Sequence, residues 1–283
     1  MRSQAGNRRR CGSNPSKRPV LKSQIGGVEM TAKSEAFLQV GKRPGKGDNK
    51  KSSNQEAGEW VYQEIMDAIL EQRLAPGMKL GEELLGEIFN VSRPVVRWAL
   101  NKLTHDNVVE LRPHRGAFVA RPTVAHAQHV FEARRIVERA VVRACVENAT
   151  QRDCERIRKH IEMEADAARQ GQRGRWIRLT GEFHLVLAAI GGNQVLNGFL
   201  EDLVTQTSLI IALYGNNTGS ICSGDDHAML ANAIEAGDQS LAQSLINKHL
   251  LECEASLQIE DEHTDEDLRS IFSHVGAQQS DVS

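Results

Sequence analysis

The sequence predicts a mainly α-helical protein with one small β-element, and three observations carry the prediction. Apolar residues recur at helical spacing through most of the chain, as in Val61, Ile65, Ala68 and Ile69. Only residues 108–120 show two short apolar runs about a glycine turn, the pattern of a hairpin. The apolar mass is aliphatic, with hydrophobic residues at 40% of the 283 but aromatics at 4%. A chain of this length suits two modest domains.

The elements follow in order. Residues 1–54 hold 13 Lys or Arg against 3 Asp or Glu and show no apolar period. This is the composition of a disordered basic arm, with Met30 inside it as an alternative start to Met1. A helical pattern begins near Gln55 and stops at Leu74-Ala75-Pro76-Gly77, where Pro-Gly makes a turn. A short second helix turns Leu84, Leu85, Ile88 and Phe89 inward and breaks at Asn90-Val91. Ser92 is placed to cap a third helix, with Pro94 in the first turn, where its missing N–H costs little. Val96, Ala99, Leu100 and Leu103 form the buried stripe of that helix. The runs 108–111 and 117–120 then flank the turn Pro113-His114-Arg115-Gly116. Arg121-Pro122-Thr123 closes a first domain at residues 55–122. Beyond it only helical pattern appears, over 124–149, 151–170, 172–190, 194–214, 223–236 and 238–258, giving a helical domain at 123–258. Residues 259–283 are acidic, then polar, and read as a disordered tail.

Three helices followed by a hairpin is the layout of a winged helix-turn-helix, whose third helix enters the DNA major groove while the hairpin lies along a flanking groove. Arg93 and Arg97 stand one turn apart at the start of the third helix, beside Ser92 and Val96. The guanidinium fork matches guanine O6 and N7. In the hairpin Arg112, His114 and Arg115 surround Gly116, whose lack of a side chain allows close approach to the duplex. These eight residues are the candidate DNA contacts; each arginine taken singly also reads as a solvated surface charge. A basic arm on an acidic body fits a nucleic-acid contact at one end.

Three blocks carry a family resemblance: Pro76-Gly77-Met78-Lys79-Leu80, then Val91-Ser92-Arg93-Pro94-Val95-Val96-Arg97-Trp98-Ala99-Leu100, then His114-Arg115-Gly116-Ala117-Phe118-Val119. In order and spacing they resemble the GntR family of transcription regulators. Pro94 stands one position early, and Trp98 occupies the place of the usual acidic residue. The resemblance implies a homodimer that binds palindromic double-stranded operator DNA, most often as a repressor, in the cytoplasm on the nucleoid.

The helical remainder resembles the FCD-type effector domain of the FadR-like GntR subfamily. The carriers are Glu132-Ala133-Arg134 with Glu138, Glu182-Phe183-His184 with Gly192-Asn193, Asp226-His227, Gly237-Asp238 and Lys248-His249. His184, His227 and His249 lie on three different helices and can converge on one divalent metal, or each can be a core histidine satisfied by hydrogen bonds. The resemblance implies three histidines with an Asp four residues before the first, and Thr180 stands there instead. The metal would be zinc, manganese or nickel, with water or a ligand carboxylate completing the site. Arg134 falls within the apolar stripe of Val130, Val137 and Val141. A buried Arg needs an anion, either Glu138 or a bound carboxylate held bidentately. Arg134, His184, Asn193, His227 and His249 therefore form the candidate effector site, and the effector is expected to be a small organic acid.

Other classes find no support. There is no H-E-x-x-H, phosphate-binding glycine loop or G-x-S-x-G, so catalysis is not expected. Five cysteines without a C-x-x-C point to a reducing compartment. No apolar run suffices to span a bilayer, and no apolar leader is visible. The alternative function is a metal- or metabolite-binding helical protein in which DNA binding is minor or lost.

Overall fold

The computed structural model describes residues 50–215, 224–258 and 267–277. The first domain opens with α1 (Lys50–Leu70), followed by β1 (Lys79–Leu80), α2 (Glu82–Phe89) and α3 (Arg93–His105). A hairpin of β2 (Val109–Arg112) and β3 (Gly116–Val119) completes it. The helical domain comprises α4 (Val124–Asn148), α5 (Gln151–Arg169), α6 (Arg173–Gly191), α7 (Gln194–Tyr214), α8 (Gly224–Glu235) and α9 (Gln239–Ala255). Two short helices follow, α10 (Leu268–Ile271) and α11 (Ser273–Ala277).

The breaks read from sequence are the helix caps. Asn90 ends α2 in the left-handed region at φ 51°, and Gly192 ends α6 at φ 74°. Thr150 and Asp153 form a reciprocal capping box at the start of α5. Ser92 sits at the N-cap position of α3, but its side chain accepts no capping hydrogen bond, contrary to expectation. The expected stripe of α1 is wholly buried, from Val61 through Ile65 and Ala68 to Ile69.

Three features depart from the sequence reading. Helix α1 begins at Lys50, inside the stretch read as a disordered arm; the rest of that arm lies outside the described residues. The wing is a three-stranded antiparallel sheet, ordered β1-β3-β2, because Lys79 and Leu80 pair with Phe118 and Ala117. Part of the expected tail is helical: Leu268, Ile271, Phe272 and Val275 are spaced i, i+3, i+4, i+7 and are buried. Phe272 meets Phe89 edge-on at 5.0 Å, and Phe89 meets Trp60 at 5.3 Å. The remainder of the tail lies outside the described residues.

One core joins the first domain to residues of α4, α6 and α7, including Phe131, Ile177 and Leu209. A second core fills the helical domain around Phe183, Leu187, Leu200 and Ile246. Helix α6 lies at the centre, packed against α4, α5 and α7 and buried along nearly its whole length. A Cβ at Gly191 would stand 3.3 Å from both Ala144 Cβ and the Val141 carbonyl oxygen, so glycine allows α6 to approach α4 this closely. No described helix is long and apolar enough to cross a membrane.

The docking of Phe272 on Phe89 yields a test. Phe272→Ala removes a ring that is 1% exposed and is expected to cost about 3 kcal/mol, read as a lowered thermal midpoint. An unchanged midpoint would show that the segment does not brace the first domain.

Candidate effector pocket and DNA-facing surface

The three candidate histidines converge. His184 comes from α6, His227 from the first turn of α8 and His249 from α9, and all are buried. One ring nitrogen from each lies within 4.8 Å of the other two. Each Nδ1 faces a carboxylate: His184 to Glu138 at 2.6 Å, His227 to Glu164 at 2.7 Å and His249 to Asp226 at 3.4 Å. A carboxylate on Nδ1 fixes the tautomer and leaves Nε2 as the nitrogen able to ligate. Phe183 stacks on the His227 ring, centroids 3.8 Å apart, and limits its rotation. Burial holds the His184 imidazole well below its ordinary pKa, so it is neutral and able to ligate. Burial also pushes the Glu138 carboxyl up, but the ion pair with Arg134 and the hydrogen bond from His184 outweigh it and hold the group at about 2.

Arg134 reconciles its two readings. It is 3% exposed, and its Nε donates to Glu138 Oε1 at 2.6 Å, the intrahelical pair. Its Nη1 donates to Thr207 Oγ1 at 2.6 Å, while Nη2 is buried without a hydrogen-bond partner. Thr180 does not replace the expected Asp, since its hydroxyl donates to the Ile177 carbonyl of its own helix at 2.9 Å. Asn193 does not join the pocket. It is the exposed N-cap of α7, accepting from the Val195 and Leu196 amides at 3.1 and 3.2 Å. Sequence reasoning missed Glu164 because no motif marks it; only the packing of α5 against α8 places it at His227.

On the first domain Ser92, Arg93, Arg97, His114, Arg115 and Gly116 are exposed and Arg112 is half-buried. Val96 is 0% exposed beneath α3, so it is a core residue and not a DNA contact. Arg97 makes a forked pair with Glu82 of α2, at 3.2 and 2.8 Å, and Arg93 pairs with Glu83. The guanidinium carbons of Arg112 and Arg115 lie 4.4 and 5.7 Å from the centroid of the Phe118 ring. Glu82, Glu83 and Phe118 were not foreseen as partners of the basic residues. His114 holds φ 59° and Gly116 φ 92°, a tight wing tip between β2 and β3.

Comparison with known proteins decides the family. The model for bacterial regulatory proteins of the gntR family matches residues 57–119, and the FCD domain model matches residues 129–252. The chain belongs to the GntR family. The GntR relatives include the HTH-type transcriptional repressor RspR of Escherichia coli (strain K12), 24% identical over 213 residues, spanning 75% of this chain and 93% of that protein. The HTH-type transcriptional regulator LutR of Bacillus subtilis (strain 168) is 27% identical over 203 residues, 64% of this chain and 92% of that protein. Two solved structures share the fold over 70% of this chain and 95% of their own. E. coli McbR/YncC has a TM-score of 0.60 at 19% identity, and a putative GntR regulator from Rhodococcus sp. RHA1 has 0.62 at 21%. The GntR chain is thus a transcription regulator with a DNA-binding domain and an FCD domain, in a family of regulators rather than enzymes.

FCD domains are often metal-binding, and the donor set of this GntR chain fits a divalent cation. Three imidazoles with carboxylate-backed Nδ1 atoms are borderline donors of the kind that hold a divalent transition metal.

Glu182, between Thr180 and His184 on α6, gives a pH test. Burial raises its carboxyl from the ordinary 4.5 to about 7, opposed by Arg178 and reinforced by Glu164. The folded state therefore binds more protons than the unfolded state between these values. Stability contributed by this group is full below 4.5 and falls as pH rises toward 7. Glu182→Gln is expected to flatten that fall in a denaturant midpoint against pH, whereas an unchanged slope would show that the group titrates normally.

Proposed function

We propose that this GntR regulator binds a palindromic operator as a homodimer and that a small organic anion in the FCD pocket sets its DNA affinity, most simply by relieving repression. The observation that carries the effector half is the Arg134 Nη2 donor, buried beside the histidine cluster without a partner. An orphaned buried donor is costly, and an incoming carboxylate would accept from it. His184, His227 and His249 would hold a divalent metal through their Nε2 atoms. When bound, that cation supplies Lewis-acid attraction for the ligand's carboxylate or hydroxyl oxygens. Glu138 keeps His184 oriented and neutralises Arg134 when the pocket has no anion. The Phe183 ring and the enclosing core exclude water, which strengthens each of these contacts.

The DNA half rests on α3. Arg93 and Arg97 project from its exposed start, and of their carboxylate partners on α2 Glu83 is exposed and Glu82 half-buried. Exposed ion pairs are weak, so guanine or phosphate displaces Glu82 and Glu83 at small cost. Arg112 and Arg115, stacked on Phe118, present the wing to the adjacent groove.

Two measurements test these halves separately. On an operator selected by the wild-type protein from a random-sequence pool, Arg97→Ala is expected to weaken binding roughly tenfold or more with an unchanged melting curve. Wild-type affinity in that variant would remove α3 from the DNA contact. Elemental analysis of purified protein is expected to find about one divalent metal per chain, lost in His184→Ala. A metal-free wild type would leave Arg134 and the histidines as direct hydrogen-bond donors to the anion.

A further inference from the structure

Among the described residues, one buried charge of the FCD domain is answered from the DNA-binding domain. Arg178 on α6 is 4% exposed, and a guanidinium taken out of water is tolerated only when acceptors meet its donors. Its Nη1 donates to Gln63 Oε1 at 2.9 Å, and its Nη2 is ion-paired with Asp67. Gln63 and Asp67 lie one turn apart on α1 and present one face to α6. Ile177, beside Arg178 on α6, belongs to the apolar core shared with α1, and such apolar contacts are non-directional. The planar fork of an arginine is directional and resists sliding.

Helix α1 in turn holds the helix that carries Arg93 and Arg97. Tyr62, adjacent to Gln63, donates its hydroxyl to Asp106 Oδ2 at 2.8 Å, and Asp106 is the C-cap of α3. Glu59 accepts from Lys102 Nζ of α3 at 2.6 and 2.7 Å. At the other end of the same path, His184 lies six residues beyond Arg178 on α6, about 9 Å along the helix axis. One rigid helix therefore carries a pocket residue and the residue that grips α1.

We infer that Arg178 is the coupling residue of this regulator. It converts a displacement of α6, set by occupancy of the histidine site, into a displacement of α1. Tyr62 and Glu59 pass that displacement to α3. The inference rests on the reading of the histidine cluster as the controlling pocket, and its test separates the two.

The probe is zinc alone, and the DNA is an operator selected from a random-sequence pool by the wild-type protein. DNA affinity is measured by fluorescence anisotropy with and without zinc, and zinc affinity by calorimetry. In the wild type, zinc is expected to change DNA affinity by about fivefold or more. In Arg178→Gln that ratio is expected to fall to within about twofold of one, with zinc affinity and metal-free DNA affinity as in the wild type. Arg178→Lys keeps a charge opposite Asp67 but loses the fork on Gln63, and should retain part of the ratio. Asp67→Asn attacks the same contact from α1 at a side chain that is 27% exposed, so it reports even where Arg178→Gln fails to fold. A full wild-type ratio in folded Arg178→Gln and Asp67→Asn overturns the coupling role and leaves the pocket reading standing. Zinc that binds the wild type yet leaves its DNA affinity unchanged overturns metal occupancy of the histidine site as the origin of the displacement that Arg178 transmits.

Discussion

Burial of α6 on nearly every side is the constraint on which the rest of the molecule depends. A helix so enclosed would ordinarily be apolar all round, yet α6 carries Arg178, Thr180, Glu182 and His184 in succession. Each buried polar group needs a partner, and three of the four find different ones. Arg178 reaches α1 of the DNA-binding domain, Thr180 turns back on its own backbone, and His184 takes a carboxylate from α4. These directional contacts set the rotation of α6 more tightly than apolar packing alone. Since buried ion pairs often add no net stability over hydrophobic replacements, these contacts define the orientation of α6 more than they add to its stability.

The same economy of partners shapes the DNA-facing surface in the opposite solvent regime. Arg97, Arg93 and Arg112 are accessible, so no desolvation forces them to pair, yet carboxylates of α2 and the Phe118 ring hold them. Long side chains held near one orientation lose less entropy when they meet DNA.

The helix breaks were legible because they are local: glycine at positive φ, asparagine or threonine at a cap, and proline in a first turn each act within a few residues. The convergence of three histidines was legible from their place on inward-facing stripes and from the family pattern. Other features were not. Lys79-Leu80 is too short to show a strand period, and becomes one only because β3 lies beside it. The stripe through Leu268 and Val275 was masked by acidic and polar neighbours, and burial against α2 gives it meaning. Val96 was read both as a core position and as a DNA contact, and the helix can turn it only one way. Asn193 stands at a helix start, where capping competes with any role in a pocket, and the cap wins.

The sequence by itself determined the type and limits of nearly every helix, the basic residues of the winged domain, the three histidines and the family. Those are properties of short segments and of spacing along one chain. Tertiary structure alone decided which carboxylates stand behind the histidines, since Glu138 and Glu164 lie 46 and 63 residues from the imidazoles they orient. It also decided that Arg178 answers to α1, 115 residues from Gln63. Periodicity states that a helix face is buried but not what covers it, and the identity of that cover is what pairs the buried histidines with their carboxylates and Arg178 with α1.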